Sequence, residues 1–234
     1  MFIPLKDENP TRHLPIATIL LIAINTLVYF YSMTKGVQGF QAFIFQFGLI
    51  PVEITHLTEM TPRIPSPVFL TPLTSMFMHG GFMHLAGNML FLWVFGNNIE
   101  DHLGPVKFVL FYLIAGLIGD FLFIAFSPNS EVPLVGASGA IAGIMGAYFV
   151  LFPRARILTL VFLFYFIRFI RVPAAVVLGF WIFYQILMSA LSSGVGGGVA
   201  WLAHVGGFGF GWLWFKIFSG GRAERSQIYR MEWR

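Results

Sequence analysis

The chain has 234 residues, 57% of them hydrophobic and only 10% charged, with 28 Phe and no Cys. Ordinary soluble domains carry about 25% charged residues, so a water-facing surface is excluded for most of this molecule, which reads as a polytopic α-helical membrane protein with one compact domain. The missing cysteines exclude a thiol nucleophile, an iron–sulfur site and a disulfide framework, and the formal charge of +4 points to membrane topology rather than nucleic acid, because the basic residues flank apolar runs.

Residues 1–13 are charged and proline-bearing, without the apolar core and small-residue cleavage site of a signal peptide. The first apolar run is therefore expected to act as the insertion signal. A span needs about 20 mostly apolar residues. Runs at 14–33, 82–99, 106–127, 137–153, 173–192 and 200–218 predict an all-α bundle of six transmembrane helices over 14–218, followed by a solvated tail over 219–234. In the long segment 34–81, Gln38–Leu49 suits short amphipathic helices on the outer leaflet. The fourth run is short and begins Gly-rich, so the chain is expected to enter it from below the surface. Next comes Ile157–Ile167, apolar but fenced by Arg154, Arg156, Arg168 and Arg171. Eleven residues are too few to cross, which places it in the interface.

With the N-terminus cytoplasmic, the inside segments hold Lys6, Arg12, Lys107, Arg154, Arg156, Arg168, Arg171, Lys216, Arg222, Arg225, Arg230 and Arg234, whereas the outside segments hold only Lys35 and Arg63. The positive-inside rule then predicts both termini on the cytoplasmic side. Absence of an Arg-rich amphipathic leader favours a prokaryotic plasma membrane.

In this topology the second, fourth and sixth spans all run from outside to inside. Ser138, in Gly136-Ala137-Ser138-Gly139, and His204, in Ala203-His204-Val205-Gly206-Gly207, fall at a similar depth near the outer surface. His84 and Asn88, four residues apart on one helix face, fall near the same level. Gly139-x-x-x-Gly143 and Gly207-x-x-x-Gly211 are small-residue stripes that allow close helix approach. If they face each other, His204 comes within hydrogen-bond reach of the Ser138 hydroxyl and can activate it as a nucleophile. The Ser138 backbone N–H, with His84 and Asn88, supplies candidate oxyanion donors. Taken singly, Gly-x-Ser-Gly can be helix packing, and His84 and Asn88 can simply bond helix to helix. Their common depth is what makes the set point to acyl transfer.

Rival chemistries fit less well. No His-Glu-x-x-His string is present for a zinc protease, and Asp120 is the only Asp within the spans, so the carboxylate pair of an aspartyl protease is missing. Asp120 is read as bonding a neighbouring helix, with electrostatic support of protonated His204 as the lesser alternative. A small-solute transporter would favour an internal repeat, and none is evident.

Four ordered blocks, His79-Gly-Gly-Phe-Met-His84-Leu-Ala-Gly-Asn88, Glu100-Asp-His-Leu-Gly104, Gly136-Ala-Ser138-Gly139 and Ala203-His204-Val-Gly-Gly207, resemble the rhomboid family of intramembrane serine proteases, and the likeness reaches back to Pro4-Leu5-Lys6-Asp7. The resemblance implies a six-helix rhomboid-like bundle, Ser138 as nucleophile, His204 as general base, and His84, Asn88 and the Ser138 amide as oxyanion hole. It implies no metal or cofactor, and substrates that are single-span membrane proteins cut near the outer surface of the lipid bilayer. The span at 173–192 resembles the lateral gate, and Ser192–Val199 the cap over the active site. Ala142 departs from the Tyr that some members carry one turn after the serine, so other residues must hold His204. Glu100 and Gly104 are expected to tie the turn between the second and third spans. The alternative within this resemblance is a non-catalytic relative that binds clients; such relatives typically lack the Ser or the His. The natural substrate and the oligomeric state are not written in the sequence.

Overall fold

In the computed structural model, which describes residues 2–59, 67–163, 166–191 and 200–218, the elements follow in the order β1 (Phe2–Asp7), α1 (Ile16–Met33), α2 (Gly36–Phe47), α3 (Pro51–His56), α4 (Thr71–Ser75), α5 (Phe82–Leu103), α6 (Pro105–Phe126), α7 (Ser138–Leu151), β2 (Arg156–Leu163), β3 (Phe166–Pro173), α8 (Ala174–Leu191) and α9 (Trp201–Phe218). Arg63, the expected cap Ser192–Val199 and the tail from 219 onward lie outside the described residues. Each apolar run read from the sequence coincides with one of the helices α1, α5, α6, α7, α8 and α9. By length and composition α1, α6 and α8 can cross a membrane, and α7 is a shorter apolar helix. Large apolar side chains such as Leu27, Phe30, Leu110, Phe121, Phe180 and Phe183 stand exposed on the outer faces. Hydrocarbon, not water, is the solvent such a surface suits, and backbone groups closed within helices are what hydrocarbon demands. The chain is a polytopic helical membrane protein.

The middle of the bundle is α7. Every residue from Gly139 through Tyr148 is buried, enclosed by α5, α6, α8 and α9. Its 14 residues span about 21 Å at 1.5 Å per residue, against a hydrocarbon core of about 30 Å. One end must therefore stop short of a membrane surface. The segment Gln38–Leu49, expected as short amphipathic helix, folds as α2, which buries no side chain.

The Arg-fenced stretch does not cross the bundle. It forms an antiparallel hairpin, β2 with β3, and β1 pairs antiparallel with β2 to complete a three-stranded sheet. The all-α expectation describes the bundle and misses this sheet. Half of its residues are β-branched or aromatic, which suits a pleated surface, and Ile157, Thr159 and Val161 are buried at a spacing of two. Pro4 lies on the edge strand β1, next to a register shift between Pro4 and Lys6, the kind of place where sheets accept proline. The N-terminal segment is stitched to the helices: the Tyr148 hydroxyl donates to Asp7 Oδ2 at 2.8 Å, and Asn98 Nδ2 donates to the Asn9 carbonyl at 3.1 Å. Arg171 pairs with Glu8 beside the hairpin.

Glu100 does more than the sequence suggested. Its carboxyl oxygens, buried at the end of α5, accept the Ala17 N–H at 2.8 Å, the Thr18 N–H at 2.7 Å and the Thr18 hydroxyl at 2.7 Å. These N–H groups open α1 and have no intrahelical partner. Glu100 therefore ties α5 to α1, while Gly104, at φ +77°, makes the turn from α5 into α6. Replacing Glu100 by Ala strands these donors in a buried place. We expect a loss of about 2–3 kcal/mol, read as a lower midpoint of thermal unfolding in detergent.

Candidate active site

Three helices begin at the same end of the bundle, opposite the sheet, and each brings polar groups to it within its first two turns. Ser138 is the first residue of α7 and His204 lies in the first turn of α9. His204 Nε2 stands 2.8 Å from Ser138 Oγ. On the other side of the ring, Nδ1 stands 2.7 Å from Gln185 Oε1 on α8. With the imidazole neutral, Nδ1–H donates to the amide oxygen and Nε2 accepts the serine hydroxyl. A cavity of about 220 Å³ opens over these groups, and His84, Asn88, Trp181 and Trp201 share its lining.

From α5, His84 and Asn88 reach the turn that leads into α7. Gly136 is the point of contact: a Cβ there would sit 2.8 Å from His84 Cε1 and Nε2 and 3.4 Å from Asn88 Nδ2. Gly136 also holds φ at +126°, which favours glycine, and its N–H donates to the Ser75 carbonyl at 2.9 Å. Asn88 Nδ2 donates to His79 Nε2 at 3.0 Å. Burial, with the neighbouring His84 second, pushes the His79 imidazole down to about 3, so the ring is neutral and its Nε2 is free to accept. An amide NH2 has two hydrogens; one goes to His79 and the other is free to serve the cavity. Among the described residues no side chain caps the start of α7, where the first N–H groups, that of Ser138 included, have no intrahelical partner.

The predicted glycine stripes lie between α7 and α9. A Cβ on Gly207 would overlap the Gly139 carbonyl, and one on Gly211 would overlap the Gly143 carbonyl. Gly143 in turn receives Ala115 of α6. Gly139 is different, since a methyl there would find ordinary contacts, the nearest at 3.6 Å. Two glycines that the stripes omitted, Gly146 and Gly119, are equally tight against the Phe208 and Ala203 carbonyls.

A family comparison now bears on these residues: the Rhomboid domain matches residues 68–221. The chain belongs to the rhomboid family. It is 35% identical over 133 residues to rhomboid protease GluP of Bacillus subtilis, covering 57% of this chain and 24% of that protein. It is 37% identical over 92 residues to the mitochondrial rhomboid protein 1 of Saccharomyces cerevisiae, 38% of this chain and 27% of that one. With the mitochondrial presenilin-associated rhomboid-like protein of Mus musculus it shares 33% over 132 residues, 55% of this chain and 35% of that one. The matches thus span about a quarter to a third of the length of these relatives.

Within this rhomboid fold, Ala142 is buried and brings only a methyl group to the His204 side of α7. The His204 ring is flanked instead by Trp181 of α8, centroids 5.7 Å apart, and by Trp201 at 6.4 Å. Asp120 is buried, and its Oδ2 has no hydrogen-bond partner among the described residues. His79 and Gln185 were missed as site residues. Gln185 carried a signal, a lone amide in an apolar run, but its partner is 19 positions away. Replacing Gly207 by Leu must push α9 off α7, and we expect loss of monodisperse protein on size exclusion together with loss of cleavage. Gly139→Ala should keep the fold, as measured by thermal unfolding.

Proposed function

We propose that this chain is an intramembrane serine endopeptidase that cuts single-span membrane proteins near the outer surface, with Ser138 as nucleophile and His204 as general base. The observation that carries this reading is the 2.8 Å contact between His204 Nε2 and Ser138 Oγ at the start of two helices. A serine hydroxyl needs a base within about 3.2 Å before it can attack a carbonyl, and few structural reasons exist for pairing the two inside an apolar bundle. Membership of the rhomboid family supports the reaction class, and one relative is named a protease.

The chemistry follows from the groups present. Ser138 gives its proton to His204 Nε2 as Oγ attacks the substrate carbonyl. Charge collecting on the carbonyl oxygen is met by the Ser138 N–H, the second Asn88 N–H and His84. His204 returns the proton to the departing amine, and water entering from the cavity side releases the acyl group by the same route in reverse. Backbone carbonyls of a stable helix are already hydrogen-bonded, so an unwound segment is the fitting substrate. The gap between α5 and α8, whose side chains line the cavity from two sides, is the route by which such a segment arrives from lipid. Among the described residues Lys6, Arg12, Lys107, Arg154, Arg156, Arg168, Arg171 and Lys216 cluster at the sheet end, and Lys35 lies at the other. That asymmetry supports a cytoplasmic sheet and an active site on the opposite side of the membrane.

The test uses reconstituted full-length protein, a membrane-anchored reporter and a fluorophosphonate probe. Ser138→Ala and His204→Ala are expected to abolish cleavage with the thermal unfolding midpoint retained; turnover by purified Ser138→Ala would sink the proposal, and a wild-type chain that neither cleaves nor labels would favour a client-binding role. Asn88→Ala should lower kcat by roughly 10²-fold as the loss of one oxyanion donor, measured on the same reporter.

A further inference from the structure

Helix α8 buries few of its residues fully, and it gains little from burying an amide. Along its length only Ala174, Leu178 and Gln185 are buried, while Val176, Phe180, Phe183, Ile186 and Leu187 are exposed. The buried three are separated by four and seven residues, which is one helix face. A leucine at 185 would seat that face at no polar cost. A glutamine in an apolar surround is costly unless its amide is bonded, and the bond it makes is the one to His204 Nδ1, at 2.7 Å.

We infer that Gln185 is a positioning residue, the third member of the catalytic group, which holds His204 in the tautomer able to accept the Ser138 proton. The inference rests on the Ser138–His204 protease reading. A neutral imidazole carries one N–H and one acceptor nitrogen. With Nδ1–H given to Gln185 Oε1, Nε2 is the acceptor and faces Ser138 Oγ. In the other tautomer Nε2–H would point at Ser138, and the ring could not take the hydroxyl proton. Trp181 and Trp201 flank the ring but offer it no hydrogen-bond acceptor in the ring plane. Ala142 provides only a methyl. Selection of the tautomer therefore falls to Gln185, and α8 takes part in the chemistry as well as in lining the cavity.

The test compares Gln185→Met, which keeps length and loses the acceptor, with Gln185→Glu, which keeps the acceptor and adds charge. The titratable group that acts on His204 from a neighbouring element is His84 of α5, and on α6 Asp120 follows the Gly119 that abuts the Ala203 carbonyl; α7 brings Ser138 and α9 brings Trp201. Both stay unchanged in the two variants, so any shift belongs to position 185. For Gln185→Met we expect a wild-type unfolding midpoint and KM, with kcat and the rate of fluorophosphonate labelling of Ser138 down roughly 10²-fold, the lower range for a positioned base. Gln185→Glu should restore most of kcat and move the acid limb of its pH profile upward by about one unit or more, because a carboxylate favours the imidazolium. Wild-type kcat and labelling in Gln185→Met would overturn the inference and leave the protease reading standing. Equal losses in both variants with lowered unfolding midpoints would make Gln185 merely structural and also overturn it. A wild-type chain that fails to label sinks the protease reading, and this inference with it.

Discussion

The bond between Ser138 and His204 exists because two helix backbones come closer than side chains normally permit. Gly207 and Gly211 of α9 lie directly on the Gly139 and Gly143 carbonyls of α7, where a Cβ would overlap an oxygen. In lipid no hydrophobic effect drives one apolar helix against another, so the contact depends on close van der Waals packing between small residues. A pair of helices held at ordinary leucine-packed spacing would leave the hydroxyl and the imidazole out of reach. The glycines set the distance that the site uses.

Around that contact the remaining helices each supply one constraint. From α5 come His84 and Asn88, pressed against the glycine turn before α7, and His79 fixes one hydrogen of the Asn88 amide. From α8 come Gln185 and Trp181, which hold the His204 ring in its plane and on its flank. Through Gly119, α6 backs the start of α9. At the opposite end, Glu100 binds the start of α1 to α5, and the sheet joins the N-terminal segment to α7 through Asp7 and Tyr148. Polar bonds thus sit at the two ends of the bundle, where chain direction must be set, and the middle of α7 is closed by apolar and small residues. None of these constraints uses Asp120, whose buried Oδ2 is one of several buried polar atoms without a partner among the described residues.

Much of this was legible from residue order. The period and length of the apolar runs mark every long helix, because a bilayer imposes a minimum length and excludes charge. Counting spans brings Ser138, His204, His84 and Asn88 to one level, since helices of the same direction share their starting depth. The small-residue stripes announce a close contact. Tertiary structure alone decided which faces turn toward each other. Nothing in the order of residues pairs Gln185 with His204, nor His79 with Asn88, because side-chain partners on different helices depend on helix rotation. For the same reason the reach of the Glu100 carboxyl to α1, eighty-two positions away at Thr18, is not legible in the sequence, whereas its carbonyl, which accepts the Gly104 N–H at 2.7 Å, serves the turn beside it as expected. The hairpin and its β1 partner also escaped, as strand pairing is non-local and an eleven-residue apolar stretch has no periodic signature of its own. Sequence by itself determined the solvent, the helices and the common level of Ser138, His204, His84 and Asn88, all set by local composition. Rotation and pairing, and with them the hydrogen bonds that orient the His204 ring, arose only when the helices packed.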